Sequence, residues 1–190
     1  MENYSFHLWW GVWFLVLVAF AIVVGKVTRN DLLGVLIDTR GRYSLTHFQL
    51  VLWTIVILSS LIGVLISLNF DTKNFQIPSE LLGLMGISAG SGVLAIGVKA
   101  GKDAAGRAKV LRTTDARIAQ IWEEEEGDQA DAKVVSITKF QNLIFTLVIV
   151  VIYVTMAWKG GALPTLPEKI VWLIGISHAG YVGGKIPDKK

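Results

Sequence analysis

Five stretches of this chain carry no Asp, Glu, Lys or Arg: 8–25, 43–70, 81–98, 140–158 and 170–184. Together they hold 98 of the 190 residues, so all 33 charged side chains fall in the other 92. A long helix on a water-soluble protein carries charges on its wet face. These stretches do not, which excludes a water-soluble globule. Crossing the hydrocarbon takes about 20 apolar residues, and the first four stretches reach or nearly reach that length. The fifth is short, but Lys169 and Lys185 at its ends can snorkel to the headgroups. The pattern predicts an all-α integral membrane protein with five transmembrane helices in a lipid bilayer.

Charge then sets the orientation. The connections after the first and third spans and the C-terminal tail hold fifteen Lys and Arg, and the opposite side holds only Lys73, Lys159 and Lys169. The positive-inside rule gives an N-out, C-in topology. Trp9, Trp10, Trp13 and Trp158 fit an outer aromatic belt. The net charge of +3 therefore reflects topology, and no nucleic-acid partner is expected. Met1–His7 contains Glu2 and no Lys or Arg, so the first span reads as a retained anchor rather than a signal peptide.

Self-comparison reveals an internal repeat. Ser44-Leu-Thr-His-Phe-Gln-Leu-Val-Leu-Trp-Thr54 aligns with Ser136-Ile-Thr-Lys-Phe-Gln-Asn-Leu-Ile-Phe-Thr146 at an offset of 92. Leu84-Met-Gly-Ile-Ser88 aligns with Leu173-Ile-Gly-Ile-Ser177 at an offset of 89. Each copy is a helical hairpin, and equal orientation relates the two by an axis roughly along the membrane normal. The chain divides into an N-terminal helix and connection (1–42), a first hairpin (43–102), a charged cytoplasmic segment (103–134), and a second hairpin with a short tail (135–190). The Ser-x-Thr-x-Phe-Gln and Leu-x-Gly-Ile-Ser motifs resemble a pattern in uncharacterised bacterial inner-membrane proteins. That resemblance covers roughly 44–185, implies a multi-pass protein of the bacterial inner (plasma) membrane, and brings no activity with it.

The repeated residues are the candidates for function. Thr46-x-x-Gln49 and Thr138-x-x-Gln141 open their spans as capping boxes would, and Gln49 and Gln141 alternatively line a pore mouth. Gly83, Gly86, Gly90, Gly97 and Gly101 mark one span, and Gly175, Ala179 and Gly183 the other, at spacings that allow close helix packing in lipid. Ser88 and Ser177 fall at equal depth, near mid-membrane. His178 is the one titratable group deep in a span, either a pathway residue or a neutral imidazole bonded between helices.

Residues 103–122 are expected to form a basic amphipathic helix with Ala108, Leu111, Ile118 and Trp122 near one stripe. Glu123, Glu124, Glu125 and Glu126 follow it. Arg112, Arg117, Trp122 and the four acids are the candidate contacts for a cytoplasmic partner.

Catalysis finds no support. Cysteine is absent, the three His are scattered without metal-ligand spacing, and Gly97–Asp103 departs from a P-loop at both ends. No catalytic residue, metal or cofactor is expected. The chain reads as a non-enzymatic homo-oligomer forming a pore or gated assembly, with a membrane anchor or scaffold as the alternative.

Overall fold

The computed structural model describes residues 2–71, 73, 75–106, 116–125 and 133–186. They form five α-helices: α1 Glu2–Arg29, α2 Leu45–Ser67, α3 Ser79–Ala104, α4 Ile137–Gly160 and α5 Glu168–Gly183. Among the described residues there is no β-strand, only two isolated bridges. The first four helices are long and apolar enough to cross a membrane. The fifth has 16 residues, about 24 Å of rise against a hydrocarbon core of about 30 Å. Pro167 stands at its N-cap and delays its start. Leu163 and Leu166, just before it, are buried and fill that end of the core.

Helices α2, α3, α5 and α4 form a four-membered bundle in that cyclic order, and α1 packs along the outside of α2. The α1–α2 seam depends on glycine. A Cβ on Gly63 would sit 3.1 Å from the Trp10 backbone nitrogen, so α1 approaches α2 only because Gly63 has none. Trp10 Nε1 then donates to Ser59 Oγ at 3.0 Å. At the other end of α1, a Cβ on Gly25 would lie 2.8 Å from the nitrogen of Gly34.

One end of the bundle gathers tryptophans and the other gathers bases. His7 Nε2 bonds the Trp158 carbonyl oxygen at 2.7 Å, and the Trp10 and Trp158 rings lie 5.9 Å apart. The basic end carries a lid made of two similar pieces. Each has a short 3-10 turn (Gly34–Leu36 and Ile118–Ile121) and a bridge, Ile37 to Tyr43 and Glu123 to Val135. Their bonds match as well: Asp38 N donates to Arg42 O and Glu124 N to Val134 O, both at 2.9 Å. The pieces are joined where Tyr43 N donates to Gln120 Oε1 (3.1 Å) and Arg42 Nη2 to Glu124 O (3.1 Å). Leu36, Tyr43 and Ile121 of the lid pack with Leu45, Ala95 and Tyr181 of the bundle.

Two local expectations change. The helix expected over 103–122 is interrupted: α3 ends at Ala104, Gly106 turns to φ 62°, and Ile118–Ile121 is a separate 3-10 turn. Glycine has no Cβ to oppose that left-handed turn. Ala108 and Leu111 lie outside the described residues. The capping boxes also fail, because the N-caps are Ser44 and Ser136, with no side-chain cap bond. Thr46 and Thr138 sit two residues further in, where their hydroxyls turn to other partners.

Candidate functional site: a polar core under an ionic lid

The lid closes over a carboxylate. Glu125 is buried and meets three lysines from three helix ends. Lys99 Nζ reaches its Oε2 at 2.7 Å, Lys139 Nζ lies 3.7 Å from the same oxygen, and Lys185 Nζ donates to Oε1. Lys99 also contacts Asp38 of the first lid piece at 3.3 Å. Burial alone pushes the Glu125 carboxyl up, but Lys139, Lys99 and Lys185 together hold it well below the usual carboxylate range. The cluster therefore ties α3, α4 and α5 to the lid through one ionised side chain.

Beneath the lid, polar side chains run along the inside of the bundle. Nearest the basic end, the Thr46 and Tyr181 hydroxyls bond at 3.0 Å. Next, Gln49 Nε2 donates to Thr146 Oγ1 at 2.6 Å, and Thr146 passes its own proton to the Asn142 carbonyl at 2.9 Å. Ser177 Oγ donates to Asn142 Oδ1 at 3.2 Å. Toward the tryptophan end, Ser60 and Tyr153 bond through their hydroxyls at 3.0 Å. From Thr46 to Ser60 these bonds span about 21 Å of helix rise along α2, with the apolar side chains of Trp53, Val56, Ile57 and Ile149 between the Gln49 level and the Ser60–Tyr153 pair.

Ser91 Oγ lies 2.6 Å from His178 Nδ1 and 3.1 Å from the Ser88 carbonyl oxygen, so the hydroxyl bridges the ring to its own helix. His178 Nε2 faces away from that bond. Among the described residues His178 Nε2 has no hydrogen-bond partner, and neither have Asn142 Nδ2, Ser88 Oγ and Trp53 Nε1. These four groups come one from each bundle helix. All are nearly enclosed, with Asn142 at 1%, His178 at 2%, Trp53 at 3% and Ser88 at 4% exposure. Trp53 and Ser88 line a groove of about 140 Å³ between α2 and α3 that opens outward past the exposed Thr54, Met85 and Ala89. A buried polar atom without a protein partner normally bonds to water.

The sequence candidates separate accordingly. Gln49, Ser88, Ser177 and His178 are each buried within the bundle, with Thr146, Asn142 and Ser91 as the partners of Gln49, Ser177 and His178. Gln141 is not: it is exposed on the outer side of α4. Of the packing residues, Gly83 and Gly175 are ordinary contacts, a Cβ there lying 3.6 Å from Val171 and Ile87 respectively. Gly86, Gly90, Gly97 and Gly183 have nothing within 4 Å of a Cβ, and Ala179 is exposed. Close packing inside the chain falls to Gly25, Gly34, Gly63 and Gly92 instead.

The candidate partner contacts turn inward. Arg117 pairs with Glu123 at 3.0 Å, Glu123 and Glu125 are buried, and Trp122 packs into the lid core. The Glu124 carbonyl accepts from Arg42. Arg112 and Glu126 lie outside the described residues. Sequence reasoning missed Asn142, Thr146, Ser91 and Tyr181. Thr146 was available as a repeated position, and Lys99 with Lys185 as the bases that end corresponding spans. Among the described residues no group of His, Asp and Glu is placed to hold a metal ion.

A helical bundle with four spans of membrane-crossing length and a polar interior has the build of a multi-pass membrane protein. No family model, curated protein or solved structure matches the chain.

Proposed function

We propose that this protein is a non-enzymatic, gated pathway of the bacterial inner membrane, with its N-terminus outside and its lid in the cytoplasm. The fold on this reading is a pair of parallel hairpin repeats with α1 added outside them. What carries it is the set of buried polar pairs between Thr46 and Ser60, with four groups beside them that have no partner among the described residues. Such groups are costly in hydrocarbon unless water or a solute meets them. The direct bond from Gln49 to Thr146 leaves no aperture there for a hydrated ion, and no carboxylate lies among these pairs. The cargo on this reading is a proton, handed along bound water and past the imidazole of His178. Glu125, held by Lys99, Lys139 and Lys185, is the latch of the cytoplasmic gate.

Flux tests this reading. Purified protein in liposomes carrying an internal pH dye should dissipate an imposed pH gradient slowly, and Glu125→Gln should do so several-fold faster. His178→Ala in that background should return the rate toward that of empty liposomes. Absence of flux of protons, alkali ions and halides from both wild type and Glu125→Gln would end the pathway reading.

A second reading has its own observation. Ile118, Val134 and Val135 are exposed apolar side chains on the lid, which suits a scaffold that docks a cytoplasmic protein there. On that reading, Val134→Glu abolishes capture of the partner while the bundle stays silent in flux assays.

A further inference from the structure

The contact between the two hairpins has two edges, and the repeat duplicates both. From the first hairpin come Gln49 on α2 and Gly83, Ile87 and Ser91 on α3. From the second come Thr146 on α4 and Val171, Gly175 and His178 on α5. Gln49 donates to Thr146. A Cβ on Gly83 would meet Val171, the Ile87 Cδ1 sits 3.6 Å from the Cβ position of Gly175, and Ser91 bonds His178.

The offsets of 92 and 89 carry each set onto the opposite outer edge of the chain. Gln49, Gly83, Ile87 and Ser91 map to Gln141, Trp172, Ile176 and Gly180. Thr146, Val171, Gly175 and His178 map to Thr54, Leu82, Gly86 and Ala89. All eight mapped residues are exposed. Trp172 is 66%, Ile176 68% and Leu82 56% exposed, large values for bulky apolar side chains. Gly86 has nothing within 4 Å of a Cβ. The bundle order explains the openness: α2 lies beside α4 and α3 beside α5, so the hairpins stand side by side and each outer edge lacks the neighbour its internal copy has.

We infer that a second copy of this chain supplies that neighbour, its α2–α3 edge docking on the α4–α5 edge of the first. The interface continues the internal one, and the pairs follow by substitution. Gln141 donates to Thr54 of the next copy, as Gln49 does to Thr146. Ile176 enters the notch at Gly86, as Ile87 does at Gly175. Trp172 meets Leu82. Gly180 and Ala89 replace the Ser91–His178 pair with two small residues, which lets the backbones close up. The contact is heterologous, so copies add head to tail and close into a ring about an axis along the membrane normal. Helix α1 does not obstruct it, because α1 covers the α2 face bearing Ser59 and Gly63, away from Thr54. The inference rests on the parallel repeat proposed above and is independent of what the pathway carries.

The chain has no cysteine, which makes the test clean. One preparation carries only Gln141→Cys and another only Thr54→Cys, each in full-length protein, and a short bifunctional thiol reagent is applied after co-expression. Cross-linked dimer is expected when the two are mixed and not when either is alone. Gly86→Leu, which has free space within its own chain, should keep the helical spectrum and thermal transition while native mass falls to that of the monomer. Dimer from Gln141→Cys alone would overturn the head-to-tail contact in favour of a twofold one. An unchanged oligomer in Gly86→Leu, or a monomeric wild type in nanodiscs, would overturn it as well. If that monomer still passes protons, the pathway reading survives and only this inference falls.

Discussion

Glu125 is a carboxylate taken out of water and given three ammonium groups in return, and the lid's attachment to α3, α4 and α5 runs through it. Removing one partner from a buried ionic cluster leaves the others uncompensated, at a cost of about 3–5 kcal/mol. Glu125→Gln should lower stability by that order, read by denaturant unfolding in mild detergent. Asp38→Asn, which weakens the Lys99 ion pair but keeps an oxygen for the Arg40 and Arg42 backbone N–H groups, should cost less. The pH sign follows from the depressed carboxyl. Its stabilisation is complete above the ordinary value of 4.5 and is lost as pH falls below that toward the folded pKa. The stability difference between wild type and Glu125→Gln should therefore stay constant from pH 7 to 5 and shrink progressively in stronger acid. In Glu125→Gln the acid dependence should be weaker. An identical acid profile in the two proteins would remove Glu125 from the account.

At the scale of elements, glycine positions divide into seams and open faces. Gly63 is a seam: a Leu there would collide with the Trp10 backbone and lift α1 from α2. Gly63→Leu should expose α1 to proteolysis and lower the thermal midpoint. Gly86→Leu should leave the isolated chain's stability nearly unchanged, because its space is empty. Equal damage from the two substitutions would contradict the packing described. The helices themselves were legible in sequence, since charge-free runs leave no other stable arrangement in lipid. Which glycines pack was not, because four-residue spacing records a small face without saying what it meets. Gly63 and Gly25 stand outside any such stripe, and only the α1–α2 crossing gives them their role. The lid was legible even less. Glu125 reads in sequence as one of four consecutive acids offered to a cytoplasmic partner, and its burial depends on Lys99, Lys139 and Lys185, which are distant in sequence.

For the whole molecule, the repeat motif made Gln49 and Gln141 look alike, and they end in opposite environments. The hairpins stand side by side, so the face of α2 that meets α4 corresponds to a face of α4 that is exposed among the described residues. Sequence therefore located the polar positions Ser88, Ser177, His178 and Gln49 but could not tell an inner copy from an outer one. Topology has its own test. Cysteine at Ala162, near the tryptophan end, should react with an impermeant reagent added to intact cells, and cysteine at Thr39 in the lid should not. The central claim is that water reaches the inside of one bundle when the latch is released, and Thr146 and Val148 test it most directly. They lie two residues apart on α4, Thr146 buried among the polar pairs and Val148 exposed on the outer surface. With the lid released by Glu125→Gln, cysteine at Thr146 should react with a small charged thiol reagent many times faster than with Glu125 intact. Cysteine at Val148 should stay unreactive in both. A Thr146 thiol inert in both backgrounds, or a Val148 thiol that reacts more readily, would contradict the account.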